Sequence, residues 1–229
     1  FRRLTPPKGE FNPDGQWRHR YHDSSSHGLK RQQGELTIER QNNGQLRIEN
    51  YRDCSQGYRS HTLATLQCGA DVLATPTAWE VETKVAKAPR DKAHLGSGLV
   101  KRARVTDGVL TLAAGRSRRT MALPGAYTCK WCLLAGVGRM AEQGMAEITF
   151  TLLDEYDEPL FEQRIASHGE AEASMRDGMI HLRMYQHTGT GTVPGIYYVD
   201  DAGRVLAYLA GMQLLVLGEA NGESTGYMA

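Results

Sequence analysis

No apolar run in this 229-residue sequence approaches the roughly 18 residues that a membrane-spanning helix needs. Neither basic nor acidic residues dominate, since 27 Lys and Arg against 26 Asp and Glu leave a formal net charge of +1. A global electric field that would attract nucleic acid or an anionic membrane is therefore missing. We predict a globular chain with no membrane span and no nucleic-acid partner.

The common catalytic signatures are also missing. The sequence has no G-x-S-x-G nucleophile elbow, no H-E-x-x-H zinc motif, no Walker A loop and no dinucleotide-binding glycine pattern in a βαβ setting. The function classes that depend on these motifs are excluded. The sequence favours a non-catalytic protein without deciding the matter, and it predicts no cofactor.

Cysteine is scarce, with four residues in the chain: Cys54, Cys68, Cys129 and Cys132. The last two form a C-x-x-C pair. The βαβ context of thioredoxin-like enzymes does not surround this pair, and Thr128 stands where those enzymes carry Trp. A four-thiolate zinc site would need all four cysteines at a spacing that zinc proteins do not normally use. We predict disulfides or buried free thiols, and no metal site.

Most of the chain consists of short segments in which apolar and polar residues alternate. Asn43-Gly44 separates two such segments, and Asp107-Gly108 and Asp177-Gly178 repeat the arrangement. An Asn-Gly or Asp-Gly pair between alternating segments is typical of β-hairpins. The pattern predicts an antiparallel meander of about ten strands, which forms a single domain over residues 34–229.

The first 33 residues have a different composition. They are polar and rich in Pro, Gly, Ser and His, and we predict a partly irregular N-terminal arm over residues 1–33. The histidines of this arm, His19, His22 and His27, are expected to be solvated rather than bound to a metal.

One segment departs from the alternating pattern. Apolar residues recur at three-residue steps between residues 128 and 142, which is typical of a buried helix face. Thr128 is predicted to cap the N-terminus of this helix. Gly136 and Gly138 weaken the helix, but they would allow close approach to another backbone.

The order of elements resembles the lipoprotein-carrier-like family of exported bacterial proteins. The C-terminal half carries the likeness: the helix segment TCKWCLLAGVGRM is followed by a strand and by TGTGTVPGIYYVDDAGRVLAYLAG, which is similar to the family's closing hairpin. The resemblance implies a strongly curved antiparallel sheet or half-barrel with the helix on its concave face. It also implies a periplasmic or otherwise exported location, a cavity for an acyl chain or another apolar group, and no catalytic residues.

A cleft between helix and sheet is the first candidate site. The predicted function is binding of an apolar small molecule, a lipid or a protein partner in this cleft. A purely structural or interaction module is the alternative if the protein's own side chains fill the space. The sequence does not specify the oligomeric state. The predicted lining residues are Trp131, Leu134 and Val137 on the helix and Trp79, Val81, Phe150 and Leu152 on the sheet.

A polar row in the segment HLRMYQH is the second candidate site. His181, Arg183, Tyr185 and His187 lie on one face of the predicted strand. Similar rows occur on the concave face of β-sheet polysaccharide lyases, where Arg neutralises a uronate carboxylate and His or Tyr moves the proton. The alternative function is therefore a carbohydrate-active enzyme. The signature segments of those lyases are missing, and a solvent-facing strand is the simpler interpretation.

Overall fold

The computed structural model describes residues 5, 7, 10–25, 32–53, 58–87, 98–220 and 223–224. These residues form sixteen β-strands and one α-helix, which a 3-10 turn precedes. The strands are β1 (Trp17–Ser25), β2 (Gln32–Arg40), β3 (Gln45–Asp53), β4 (Tyr58–Cys68), β5 (Pro76–Lys87), β6 (Leu99–Thr106), β7 (Val109–Ala114), β8 (Ser117–Ala122), β9 (Tyr127–Cys129), β10 (Glu147–Asp154), β11 (Glu158–Met175), β12 (Gly178–Thr188), β13 (Gly195–Val199), β14 (Val205–Ala210), β15 (Gln213–Ala220) and β16 (Glu223–Ser224). The 3-10 turn is Lys130–Cys132 and the helix α1 is Leu133–Glu142.

Fifteen of these strands form one continuous, strongly curved sheet. Their order is β8-β7-β6-β5-β4-β3-β2-β1-β15-β14-β13-β12-β11-β10-β9, with β16 paired to β15. Neighbouring strands are antiparallel, except that β9 runs parallel to β10. The protein is therefore mainly β, as the sequence predicts, with more strands than the expected ten.

The predicted hairpins are present at all three turn dipeptides. Asn43-Gly44 lies in the loop between β2 and β3, and Asp107-Gly108 joins β6 to β7. The turn between β11 and β12 is Arg176-Asp177, and Gly178 begins β12. Asp107 and Gly108 have φ values of 49° and 73°, as a tight hairpin turn with two left-handed residues requires. Local turn chemistry thus sets the register of these hairpins.

The N-terminal segment differs from its prediction. β1 lies inside the segment expected to be a partly irregular arm, and it pairs with both β2 and β15 near the middle of the sheet. Trp17, His19, Tyr21 and Asp23 are all buried on this strand. Because His19 and Asp23 are polar, the inward-facing positions of β1 do not read as an apolar alternation in the sequence. The expectation of a solvated His19 is wrong, because the side chain is 2% exposed; His27 lies outside the described residues.

The two ends of the described sheet, β8 and β9, are not paired with each other. Side chains close the gap instead. Trp79 Nε1 on β5 donates to the Tyr156 carbonyl at 3.1 Å. The Asp157 carboxylate lies 2.9 Å from Lys101 Nζ on β6 and 3.5 Å from Arg119 Nη2 on β8. We call these five residues the seam.

The helix begins later than predicted. Thr128 belongs to β9, where it pairs with Leu152, and its hydroxyl donates to the Leu73 carbonyl at 2.8 Å. It therefore does not cap the helix, and neither the 3-10 turn nor α1 has a side-chain cap hydrogen bond at its start. Strand pairing thus takes the first residues of the predicted helix. Among the described residues, no helix is long and apolar enough to cross a membrane.

The two helix glycines confirm the predicted close approach. A Cβ at Gly136 would lie 2.7 Å from the Val72 carbonyl oxygen in the β4–β5 loop. A Cβ at Gly138 would overlap the Gly203 carbonyl oxygen in the β13–β14 turn. The helix is therefore held between backbone segments from both halves of the sheet.

Candidate ligand cavity

The seven residues of the predicted cleft all lie in one hydrophobic core. Each of them is between 0 and 7% exposed, and each belongs to the same cluster of packed side chains. The residues on the helix are Trp131, Leu134 and Val137, and those on the sheet are Trp79, Val81, Phe150 and Leu152. The structure brings the two sets together, but as packed core.

A cavity of about 230 Å³ lies beside this core. Strands β10 to β15 and the loop after β12 supply most of its wall, and the 3-10 turn adds Lys130. Leu152 is shared with the predicted cleft. The lining residues are Lys130, Leu152, Asp154, Leu160, His187, Gly191, Thr192, Val193, Tyr197, Tyr208, Ala210 and Gln213. Polar groups therefore share the wall about equally with aliphatic and aromatic surface, which suits a ligand with both polar and apolar parts.

His187 has a fixed tautomer in the cavity wall. The Gln163 Nε2 group donates to the carbonyls of Phe161 and Thr190, at 2.8 and 3.0 Å. Gln163 Oε1 must then accept from its other partners, Thr192 Oγ1 at 2.6 Å and His187 Nε2 at 3.1 Å. The proton of the neutral imidazole consequently sits on Nε2, which leaves Nδ1 as an acceptor. Within the described chain, Nδ1 has no protein partner.

Burial keeps this imidazole neutral. Desolvation, with a smaller effect of the Lys130 charge, lowers the pKa of His187 from 6.5 to about 4. The ring also stacks on Phe150, with centroids 5.7 Å apart. At neutral pH the side chain is thus a hydrogen-bond acceptor and carries no charge.

A β-bulge positions Gln163 beneath His187. The register between β10 and β11 shifts after Phe150, and Glu162 adopts a φ of 55°. This extra residue turns the Gln163 amide into the interior, where it is 0% exposed. A Cβ at position 189 would overlap that amide, so Gly189 supplies the space it needs.

Two stacked tyrosines form the opposite wall. The rings of Tyr197 and Tyr208 have centroids 4.5 Å apart and planes 29° apart. Burial raises the pKa of Tyr208 to about 12, and burial also raises the pKa of Tyr197. Both phenols are therefore protonated at neutral pH. A Cβ at position 195 would lie 2.7 Å from Tyr208, so Gly195 makes room for this ring.

The cavity has one cation and one anion in its wall. Lys130 Nζ lies 5.0 Å from the centroid of the Trp131 ring, and no described carboxylate is within 4 Å of it. Asp154 lies at the end of β10. Sequence reasoning missed this site because its members come from six strands, a loop and a turn. Of its members, the sequence analysis named Leu152 and His187, but it placed them in two different candidate sites.

The residues of the predicted polar row do not converge. His181 Nδ1 lies 2.8 Å from Asp201 and its Nε2 lies 3.3 Å from Glu170. Arg183 donates to the Ala141 carbonyl at the end of α1. Tyr185 is 4% exposed, and His187 lies in the cavity wall. At about 3.3 Å per residue, roughly 20 Å of strand separates the two histidines.

The cysteines form a second cluster. Cys68, Cys129 and Cys132 are buried free thiols, and Cys54 lies outside the described residues. Hydrogen bonds from the Cys129 and Cys68 thiols lower the pKa of Cys132. The pKa of Cys68 is raised by its hydrogen bond to Cys132 and by burial, and that of Cys129 by burial first. Among the described residues, no group of three or more His, Cys, Asp or Glu is arranged to hold a metal ion.

Comparisons with known proteins identify the fold and nothing finer. No protein-family model matches the sequence, and no curated protein does. The structure is similar to the crystal structure of a β-barrel-like protein of the domain of unknown function DUF1849 from Brucella abortus. The TM-score is 0.57 at 13% sequence identity, over 91% of this chain and 98% of that one. The chain therefore has a mainly antiparallel, β-barrel-like fold similar to that of this bacterial protein.

Proposed function

We propose that the chain is a non-catalytic binding protein that holds a small amphipathic molecule in the cavity beside Lys130. The observation that carries this proposal is an ammonium group with no carboxylate partner among the described residues, set in the wall of a cavity that polar and apolar groups line about equally. A carboxylate or another anionic group of the ligand would meet Lys130. Its apolar part would pack on Leu152, Leu160 and the two tyrosine rings.

His187 adds a second polar contact to the proposed site. Because its Nδ1 atom is an acceptor without a protein partner, a hydroxyl or N–H group of the ligand can donate to it. Lys130 and His187 together favour a ligand that carries both an anionic group and a hydrogen-bond donor. The low pKa of His187 keeps this acceptor available throughout the neutral range.

The size of the cavity limits the apolar part of the ligand. A buried apolar cavity of about 150 Å³ takes up benzene, so about 230 Å³ holds an aromatic ring with a few further atoms or a short acyl chain. A full-length acyl chain would have to extend out of the cavity. The proposed ligand is thus smaller than the lipid that the sequence first suggests.

We also propose that the protein is lipoprotein-carrier-like and exported to the periplasm. Support comes from the curved antiparallel sheet with one helix on its inner side, together with the closing hairpin of β13 and β14. Fractionation of the native host by osmotic shock tests the location. Recovery with the cytosolic fraction would contradict it.

The carbohydrate-active alternative takes second place. A lyase site needs its Arg and its proton-transfer groups around one sugar, whereas Arg183 here donates to the carbonyls of Ala141 and Asp200. Screening acidic polysaccharides for the absorbance of unsaturated products tests this alternative. A rise that disappears in His187→Gln would support it over the binding protein.

Binding itself is tested with straight-chain carboxylates of increasing length, with and without a hydroxyl group, by isothermal titration. We expect affinity to rise with length until the cavity is full and then to level off. Lys130→Met is expected to weaken binding about tenfold, since an ion pair in a partly buried site is worth about 1.4 kcal/mol or more. Lys84→Met, which removes an ion pair with Glu82 elsewhere, is the matched control. Equal affinity in wild type and Lys130→Met, or no binding of any probe, would contradict the proposal.

A further inference from the structure

The basic residues of β6 and β8 divide between the two faces of the sheet. Lys101 and Arg119 belong to the seam, where they meet a carboxylate. Successive side chains on a strand point to opposite faces, so Arg102, Arg104 and Arg118 lie on the other, outer face. The outer face therefore carries three arginines within the three strands from β6 to β8.

A groove of about 680 Å³ crosses this outer face between β3 and β8, and we call it the outer groove. Its volume is about three times that of the interior cavity. It extends over the strand-to-strand steps from Gln45 on β3 to Arg118 on β8, which at about 4.8 Å each make it on the order of 20 Å long. The half-buried side chains of Ala78, Thr111 and Ala113 form part of its floor. The outer groove is thus long enough for several units of a chain molecule.

Strand register groups the arginines around one small residue. Ala113 on β7 lies directly opposite Arg102 on β6 and Arg118 on β8, so about 10 Å of sheet separates the two arginine backbones. Arg104 lies two positions from Arg102 on the same face, about 7 Å along β6. The three guanidinium groups are therefore spaced to meet successive groups of one ligand.

The outer groove has an excess of positive charge. Glu80 is the single carboxylate among its lining residues, and Glu80 Oε2 lies 2.6 Å from Arg102 Nε. Arg104 and Arg118 are exposed and have no hydrogen-bond or ion-pair partner among the described residues. Two guanidinium groups are thus left without a counter-charge, and each can bind a carboxylate through two parallel hydrogen bonds. The arrangement favours a ligand with several negative charges.

The uncharged lining residues narrow the class of ligand further. Trp79 is the only aromatic residue among the lining residues, and it is 4% exposed with its Nε1 group bound to the Tyr156 carbonyl. The outer groove therefore offers no ring on which a nucleic-acid base could stack. Hydroxyl and amide groups line it instead, on Gln45, Thr65 and Gln67. Because these groups both donate and accept hydrogen bonds, they suit a ligand rich in hydroxyl groups.

We propose that the outer groove binds an anionic polysaccharide that carries carboxylate groups. Arg104 and Arg118 hold carboxylates of the chain, and the threonine and glutamine side chains bind its hydroxyl groups. The site lies on the face of the sheet opposite to the core and shares no lining residue with the interior cavity. It therefore stands or falls independently of ligand binding beside Lys130.

Isothermal titration of the full chain with short oligomers of galacturonic acid tests the proposal. We expect binding at low salt that weakens as salt is added, because the contacts are exposed ion pairs. Three comparison probes are a galactose oligomer of the same length, and a glutamate oligomer and a thymidylate oligomer of the same charge. Each should bind at least about fivefold more weakly. No binding of the galacturonate oligomer, or equal binding of any comparison probe, would overturn the proposal.

Paired variants locate the binding site. Arg104→Gln/Arg118→Gln should weaken binding of the galacturonate oligomer about tenfold, because two ion pairs are lost together. Arg116→Gln/Arg176→Gln removes the same charge from two exposed turns outside the groove and should change affinity less than about threefold. Lys130→Met should leave affinity unchanged. Circular dichroism verifies that each variant is folded. An equal loss in the two paired variants would show that net charge alone attracts the probe, and would refute the site.

Two further variants test the shape and the charge of the outer groove separately. Ala113→Gln adds bulk to the floor between Arg102 and Arg118 without changing the charge, and it should weaken binding at least about fivefold. Glu80→Gln removes the carboxylate of the groove and releases Arg102, so binding should tighten about threefold. Unchanged affinity in Ala113→Gln, or weaker binding in Glu80→Gln, would show that the oligomer does not lie in the groove.

Discussion

At the scale of single residues, charge is buried where the helix meets the N-terminal segment. Arg139 on α1 is 1% exposed, and its guanidinium donates to the Asp14 carboxylate at 2.7 and 3.1 Å and to the Asp71 carbonyl at 3.0 Å. Arg40 Nη2 lies 3.7 Å from the same carboxylate. Asp14 is thus the carboxylate shared by two buried cations.

Replacing that carboxylate should be costly. Asp14→Asn keeps the shape but leaves Arg40 and Arg139 facing each other without a negative charge. We expect the free energy of unfolding to fall by about 1–2 kcal/mol. This is less than for a fully buried pair, because the Asp14 side chain is itself 57% exposed and the amide oxygen of Asn can still accept from Arg139. Urea denaturation measures the change. Asp177→Asn in the exposed β11–β12 turn is the control and should change stability by less than about 0.5 kcal/mol; equal effects of the two variants would refute the shared-carboxylate account.

Two buried histidines should make the protein sensitive to acid. Burial lowers the pKa of His187 to about 4 and that of His19 to about 3, from 6.5 in an unfolded chain. Above pH 6.5 both are neutral in either state and contribute no pH dependence. As the pH falls below 6.5 the unfolded chain binds protons first, so stability is lost until the pH passes the folded pKa values.

Each histidine should contribute a slope of up to about 1.4 kcal/mol per pH unit between pH 6 and 4. His187→Gln, which keeps the donor to Gln163, should remove one histidine's share of that slope. Urea unfolding at several pH values measures it, and His168→Gln on the exposed face of β11 is the control. Burial raises the pKa of Asp200, so this carboxyl group makes the folded state more stable as the pH falls, opposite to the two histidines. The effect of His187 is therefore read from the difference in slope between wild type and His187→Gln. An unchanged slope in His187→Gln would show that this histidine is not buried as a neutral group.

At the scale of elements, the packing of α1 against its neighbours depends on two glycines that have no side chain at the contact. Gly138 lies against the β13–β14 turn and Gly136 against the β4–β5 loop, so each position leaves room for hydrogen alone. The helix is ten residues long, which is too short to be stable by itself in water. Its stability therefore comes from these contacts and from its buried apolar face.

Gly138→Ala should destabilise the protein despite the better helix propensity of alanine. An exposed helical Gly→Ala change gains about 1 kcal/mol, but here the methyl group would overlap the Gly203 carbonyl oxygen. We expect a net loss of about 2 kcal/mol or more, visible as a lower melting temperature. Glu142→Ala on the exposed side of α1 should have little effect. A stabilised Gly138→Ala protein would show that the helix does not dock closely there.

Elements with strong local signals are the ones that the sequence predicts. Asn-Gly and Asp-Gly dipeptides indicate three hairpins, and the three-residue apolar spacing of Trp131, Leu134 and Val137 indicates the helix. The sequence does not predict β1, because the buried polar residues His19 and Asp23 interrupt its apolar pattern. The sequence does not predict the cavity either, because the contact of His187 with Gln163 depends on a β-bulge and on the pairing of strands far apart in the chain. A one-residue bulge changes which face a side chain occupies, and no local pattern encodes it.

At the scale of the whole molecule, the seam brings the two ends of the sheet together. Asp157 lies in the β10–β11 turn and contacts cations on β6 and β8, while Trp79 on β5 binds the neighbouring Tyr156 carbonyl. The basic residues of β8 lie on an edge strand, where charge opposes pairing with another sheet. The same edge therefore attracts the turn of its own chain and discourages association with others.

Asp157→Asn should loosen the seam without unfolding the sheet. Both ion pairs are lost, while the Arg119 contact to the Asp157 carbonyl remains. We expect a stability loss of about 1 kcal/mol that shrinks at high salt, with faster amide exchange in β8 and in the β10–β11 turn. Asp53→Asn, which breaks an exposed pair with Arg59 between β3 and β4, is the control. Unchanged exchange in both segments of Asp157→Asn would show that other contacts close the sheet.

Closure by side chains rather than by a backbone ladder has a mechanical consequence. The circumference of the barrel is not set by a fixed number of paired strands, because β8 and β9 share no described hydrogen bonds. Opening that gap would leave all fourteen strand-to-strand ladders intact. It would break the seam and the hydrogen bonds that tie Tyr127 and Thr128 on β9 to the chain around the start of β5. The girth of the barrel is thus set by side-chain contacts and core packing, and not by a closed ring of backbone hydrogen bonds.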